Sequence, residues 1–163
     1  MSTWTALDGR IYLPQEGSYF ARLSAGAGTG SYTLLTQTFS LGQGDLLTGW
    51  SAFDGRDYLP YNDDAFASIS FGLASITLFW KDISAVGNNS SSPWQQWNFV
   101  APSGGDYTLT YGVRNHLDNS QGSYALFDTS VQSASVPDAG STLVLLSSVL
   151  AGFGIARRKF LAS

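Results

Sequence analysis

From residue 18 to residue 133 apolar positions alternate with polar ones at a period of two, the spacing of strands with one buried face rather than of a helix. Tyr107, Leu109, Tyr111 and Val113 alternate with Thr108, Thr110 and Gly112, and Ala67, Ile69 and Phe71 with Ser68 and Ser70. Ile76, Leu78 and Trp80 form a third set, and Trp97 with Phe99 a fourth. The pattern predicts strands near 18–25, 31–40, 45–53, 65–72, 75–82, 94–101, 106–114 and 123–133. Gly- and Asp-rich turns separate them at 26–30, 42–45, 103–106 and 117–122. Such regular spacing predicts an all-β fold, an antiparallel two-sheet sandwich, with no helix longer than two turns in that stretch. Trp80, Trp97 and Phe99 are expected in its core.

The pattern changes near the C-terminal end. Residues 139–156 are 18 consecutive uncharged positions, mostly Leu, Val, Ala and Gly. At ~1.5 Å per residue, a helix there is about 27 Å long, enough to cross a bilayer core. Arg157, Arg158 and Lys159 come immediately after, and such a basic cluster stays on the cytoplasmic side. Pro137 stops the last strand and Asp138 can cap the start of a helix. A transmembrane-type helix over about 140–158 is therefore expected to project from the body. The division is a sandwich domain at 1–134 and a tail at 135–163.

Charge separates the same two parts. Residues 1–136 hold eleven acidic and five basic side chains, a net of −6, and residues 137–163 carry +2. An acidic body repels nucleic acid, which is bound by clustered Lys and Arg. Cys is absent and there is one His, His116, so disulfides, thiol catalysis and multi-His metal sites are excluded. Eleven of the twelve acids are Asp, a turn former and a hard-cation ligand.

An internal repeat carries several of them. Trp4-Thr-Ala-Leu-Asp-Gly-Arg-Ile-Tyr-Leu-Pro14 recurs 46 residues later as Trp50-Ser-Ala-Phe-Asp-Gly-Arg-Asp-Tyr-Leu-Pro60, and Phe20, Ala21, Ser24 and Gly26 match Phe66, Ala67, Ser70 and Gly72. Twelve of 23 aligned positions are identical. The repeat reads either as two units with one packing role or as two equivalent binding loops. The second copy leads into Asp54, Asp57, Asn62, Asp63 and Asp64, hard oxygen ligands crowded on a glycine-containing loop, where Ca²⁺ would relieve mutual repulsion. The same residues read equally as turn and strand caps, with Arg56 paired to a neighbouring Asp. Trp94, just after the Asn88–Pro93 loop, and Tyr61 are the aromatics expected to offer faces for stacking on sugars. No nucleophile motif or phosphate loop is present, so the chain is expected not to be an enzyme. A carbohydrate-binding module is the alternative function, and a glycan-active enzyme a more distant one.

The order Val136-Pro137-Asp138-Ala139-Gly140, hydrophobic run, then Arg157-Arg158-Lys159 resembles the tripartite C-terminal signals of the PEP-CTERM class. It is most similar to the VPDSG-CTERM variant, with Ala139 where that motif has Ser. The resemblance implies a bacterial protein exported to the cell surface or exopolysaccharide matrix. Its tail would be anchored transiently in the membrane through 139–156 and processed near the motif by an exosortase-type enzyme. The body, through Gly17–Leu23, Thr36–Leu41 with Gly44-Asp45, and Ser123–Asp128, resembles galactose-binding-like jelly rolls. That resemblance implies a place for Asp128 in a structural Ca²⁺ site and a polysaccharide partner. Because Met1–Asp8 has no basic or apolar leader, the N-terminus is expected to be truncated.

Overall fold

The computed structural model describes residues 1–132. The elements run β1 (Trp4–Thr5), β2 (Ile11–Tyr12), β3 (Ala21–Ser24), β4 (Thr33–Leu41), β5 (Leu46–Asp54), β6 (Asp64–Phe71), β7 (Ala74–Asp82), α1 (Ile83–Val86), β8 (Gln95–Val100), β9 (Gly105–Arg114) and β10 (Tyr124–Gln132). All eight predicted strands are found within three residues of their expected ends. The one helix among the described residues, α1, is a single turn capped by Asp82, whose carboxylate accepts the Ala85 N–H. The expected helix over 140–158 lies outside the described residues, as do Val136–Gly140 and Arg157–Lys159.

Two four-stranded sheets pack face to face, in the orders β3-β10-β5-β8 and β4-β9-β6-β7, with every pairing antiparallel. From β3 to β10 the chain changes sheet at every step except the β6–β7 hairpin. The alternation seen in the sequence fixes the inner faces. Ala65, Ala67 and Ile69 of β6, Tyr107, Leu109 and Val113 of β9, and Trp97 and Phe99 of β8 point inward and are buried with Leu47, Phe53 and Phe127. Each large apolar side chain so buried contributes roughly 1.5–3 kcal/mol. Tyr107 and Trp97 bring polar atoms into this core and satisfy them, on the Ser103 carbonyl at 2.9 Å and the Ser51 hydroxyl at 2.9 Å.

Trp80 departs from expectation and stands half exposed. Between the pairs Ala67–Phe79 and Ser68–Thr77 the β7 strand holds one extra residue, Leu78. A bulge reverses which positions face inward. Phe79 therefore enters the core, and Trp80 turns outward opposite Phe66.

A second cluster, Ala6, Tyr12, Phe20, Ala52 and Leu126, lies on the outer side of the β3-β10-β5-β8 sheet. The β1–β2 hairpin and the chain to Phe20 cover that face, so β5 is buried on both sides.

Candidate functional site

The carboxylates proposed for a cation are dispersed, and each is engaged by protein donors. Asp54, fully buried, accepts from Trp4 Nε1 and Arg56 Nε, both at 3.0 Å, and from the Leu7 N–H at 3.3 Å. Asp57 takes the Tyr58 N–H at 2.8 Å. Asp63 takes the Ser123 hydroxyl at 2.6 Å and the His116 N–H at 2.9 Å. Asp64 pairs with Arg114 Nε at 2.5 Å and with the Tyr32 hydroxyl. Asn62 donates to Asp82 at 2.8 Å and accepts from the Ser84 N–H at 2.9 Å. Asp128 lies midway along β10, opposite Trp50, and takes the Gln15 and Glu16 N–H groups at 2.7 and 2.9 Å. No three acidic or histidine side chains among the described residues are placed to hold one metal ion. Burial pushes the carboxyls of Asp57 and Asp63 up, with the charge of Asp118 adding to the first and that of Asp57 to the second.

The two aromatics singled out for stacking have partners inside the fold. Trp94 is half-buried, packs edge-on against Tyr12 and Phe20, and gives its indole N–H to the Leu13 carbonyl at 3.0 Å. Tyr61 stands perpendicular to Tyr58 with ring centres 5.4 Å apart. His116 is exposed in the loop after β9.

A groove of about 320 Å³ opens elsewhere, along the seam between the two sheets. Its origin is a mismatch of strand lengths. The edge strand β4 pairs with β9 over nine residues, whereas the edge strand β3 has only four and meets β10 only at Tyr124–Phe127. Beyond Phe127, β10 is paired on its β5 side alone. Leu35 and Gln37 share the inward parity of Phe39 and Leu41, but of β3 only Ala21 lines the groove with them, and both are exposed.

Tyr19, 73% exposed, flanks the opposite side of the groove. Tyr111 and Thr129 line it between, with their hydroxyls bonded to each other. Burial pushes the Tyr111 hydroxyl up to about 12, so it keeps its proton at neutral pH. Asp128 lines the groove as well. Both of its backbone donors fall on Oδ2, and Oδ1 takes no hydrogen bond from the described residues. The groove thus combines one open aromatic ring, one amide and a hydroxyl pair, while the Asp128 carboxylate shares the outer face of its sheet with Leu126. The sequence carried a faint sign of it, a Gln at a core-parity position of a strand.

Residues 135–160 match the VPDSG-CTERM motif. No curated protein matches the chain. The match supports a sorting-domain protein: the chain carries a C-terminal sorting signal of the kind processed by exosortase-type enzymes, as an exported, envelope-associated protein does. No helix among the described residues is long and apolar enough to cross a membrane.

Proposed function

We propose that the chain is an exported surface or exopolysaccharide-matrix protein with a non-catalytic jelly-roll body, held briefly in the membrane by residues 139–156 and released by an exosortase-type enzyme cutting near Val136–Gly140. The observation that carries this reading is the position of the motif match, which begins three residues after β10 ends at Gln132. The fold uses its two sheets before the signal starts, so processing there leaves both sheets whole. The 18 uncharged residues and the Arg157-Arg158-Lys159 cluster support transient insertion with the basic end inside. The interleaved strand order of the two sheets supports the jelly-roll reading. The non-catalytic reading is supported by the carboxylates, which serve as acceptors for backbone and side-chain donors of the fold.

Transplanting residues 133–163 onto an inert reporter that carries an export leader tests the proposal. In a host without an exosortase the reporter should stay in the membrane fraction, and in a host with one it should leave the membrane. Replacing Arg157, Arg158 and Lys159 by Ser should let the tail slip through unanchored. A reporter that is soluble in both hosts with the intact tail would overturn the proposal.

A further inference from the structure

We propose that β4 is a self-association edge. Two copies of the chain pair β4 to β4, antiparallel about a two-fold axis at Gln37, and so join their β4-β9-β6-β7 sheets into one continuous sheet. The proposal rests on the body alone and goes beyond the sorting role of the tail.

Three observations carry it. The first is that this edge is unguarded. A free edge strand presents a row of unpaired N–H and C=O groups, and proteins blunt it with a charge, a Pro, a bulge or a short length. The edges of the two sheets are β3, β8, β4 and β7. β3 is four residues long and carries Arg22. β8 is six residues long and lies between Pro93 and Pro102. β7 carries Lys81 and the bulge at Leu78. β4 runs for nine residues, about 30 Å of strand, with none of these devices. Its one strand partner among the described residues is β9, and Leu34 and Leu35 stand exposed on it.

The second is that the strand is complementary to itself. A two-fold contact uses one patch on both copies, so that residue i meets j and j meets i. Leu35-Thr36-Gln37-Thr38-Phe39 has nearly the same chemistry read in either direction. With Gln37 opposite the partner's Gln37, Thr36 meets the partner's Thr38 and Leu35 the partner's Phe39. Hydroxyl pairs and aromatic–aliphatic pairs are favourable across strands. Odd positions lie opposite odd ones, so the core-facing side of one strand continues that of the other. Gln37 is the polar residue at core parity, and at the axis its amide can donate to and accept from its twin. A slip of two residues either way would set that amide against Leu35 or Phe39, so the pair fixes the register.

The third is charge. Residues 23–44 contain no charged side chain, in a body of net −6. A two-fold axis sets like charges near each other, and β4 contributes none to repel its twin. A foreign strand is selected largely by complementary charge, and this edge has no charge to offer it. Because both copies use the same edge and the other three are guarded, assembly closes at two rather than growing into a fibre.

The chain has no Cys, so a single introduced one reports on a single position. Opposed residues of antiparallel strands lie within disulfide reach. Under mild oxidation Gln37→Cys should form a disulfide-linked dimer at least about tenfold faster than Ser40→Cys or Thr77→Cys. Ser40 lies on the same strand, but in this register six positions, roughly 20 Å, separate it from its twin. Thr77 is exposed on the opposite edge, β7. Sedimentation velocity of the unaltered full chain in a non-ionic detergent, at about 100 μM, should show a dimer. Gln37→Glu should return it to monomer by setting two like charges face to face. Thermal melts confirm that each variant stays folded. The proposal is overturned if the unaltered chain sediments as a monomer, or if Gln37→Cys cross-links no faster than the other two. It is overturned equally by a dimer that persists in Gln37→Glu, since the contact would then lie elsewhere.

Discussion

In the first copy of the repeat, Asp8 is an exposed residue at the turn of the β1–β2 hairpin; in the second, Asp54 ends the nine-residue strand β5 and is fully buried. The residues around them are nearly the same. The difference lies in the company each copy keeps. Trp50–Asp54 runs between β10 on one side and β8, then Ser91, on the other, so it is absorbed into a sheet. Trp4–Tyr12 has no such neighbours and pairs with itself, Trp4 against Tyr12. The matching tyrosines diverge accordingly. Tyr12 is buried, with its hydroxyl on the Ser92 carbonyl, whereas Tyr58 is 44% exposed. The matching prolines diverge too, for Leu59–Pro60 is a cis peptide and Leu13–Pro14 is not.

The copies nonetheless cooperate. Both grip the same loop before β8. Asp8 takes the Ser91 N–H at 2.9 Å and its hydroxyl at 2.8 Å, while Phe53 exchanges hydrogen bonds with Ser92. Trp4 of the first copy donates to Asp54 of the second, and Arg56 lies over its ring with the guanidinium carbon 5.0 Å from the centre. The repeat therefore supplies two halves of one clamp rather than two equivalent loops. Local chemistry is preserved in each, but burial is decided by neighbours far along the chain.

The largest expected difference between the copies is at the two aspartates. Asp54→Ala should cost about 3 kcal/mol in urea unfolding, because three donors lose a buried acceptor; the loss is moderated by Arg56, whose side chain is 26% exposed. Asp8→Ala should cost about 1 kcal/mol. Equal losses would mean that burial does not separate the copies. The glycines come next. Gly55→Ala should cost about 2 kcal/mol, since a Cβ there would meet Ile83 Cδ1 at 2.6 Å and the Ser90 carbonyl oxygen at 3.1 Å. Gly9→Ala should cost about 1 kcal/mol for a different reason: its φ of +85° strains an L-residue, although the space is open. Tyr12→Phe should lose about 1 kcal/mol and Tyr58→Phe less than about 0.5 kcal/mol. A loss at Tyr58 matching that at Tyr12 would break the comparison.

The smallest effect is in the pH profile. Burial alone would raise the Asp8 carboxyl, but the N–H of Arg10 and the hydroxyl and N–H of Ser91 outweigh it and hold it below 3.8. The stability it contributes is present above 3.8 and is lost as pH falls through its lower folded value. Asp57, standing where the first copy has Ile11, is raised by burial, so the folded state keeps its proton to higher pH than the unfolded chain does. Its ionisation removes stability as pH rises from 3.8 through that higher value. Melting temperatures followed from acid to neutral pH should lose the acid-side fall in Asp8→Asn and the neutral-side fall in Asp57→Asn.

The strands and the tail were legible in the sequence because each rests on a short-range pattern. Period-two alternation marked β3 to β10, and three chemically distinct parts in fixed order marked residues 135–160. The features that escaped depend on registers the chain does not announce locally. The outward turn of Trp80 needs the extra residue at Leu78, which shows only when β7 is laid against β6. The different fates of Asp8 and Asp54 hinge on Ser91, which is 83 residues from Asp8. The groove exists because β3 pairs over four residues and β4 over nine, a difference that the expected ranges 18–25 and 31–40 did not contain.

That the sandwich is a finished body released from a disposable sorting tail is tested most directly by the intact mass of the mature chain recovered from the surface of an exosortase-bearing cell. The mass should correspond to a C-terminus within or beside Val136–Gly140, with Arg157, Arg158 and Lys159 gone. A mature chain whose mass still includes Ser163 would contradict it.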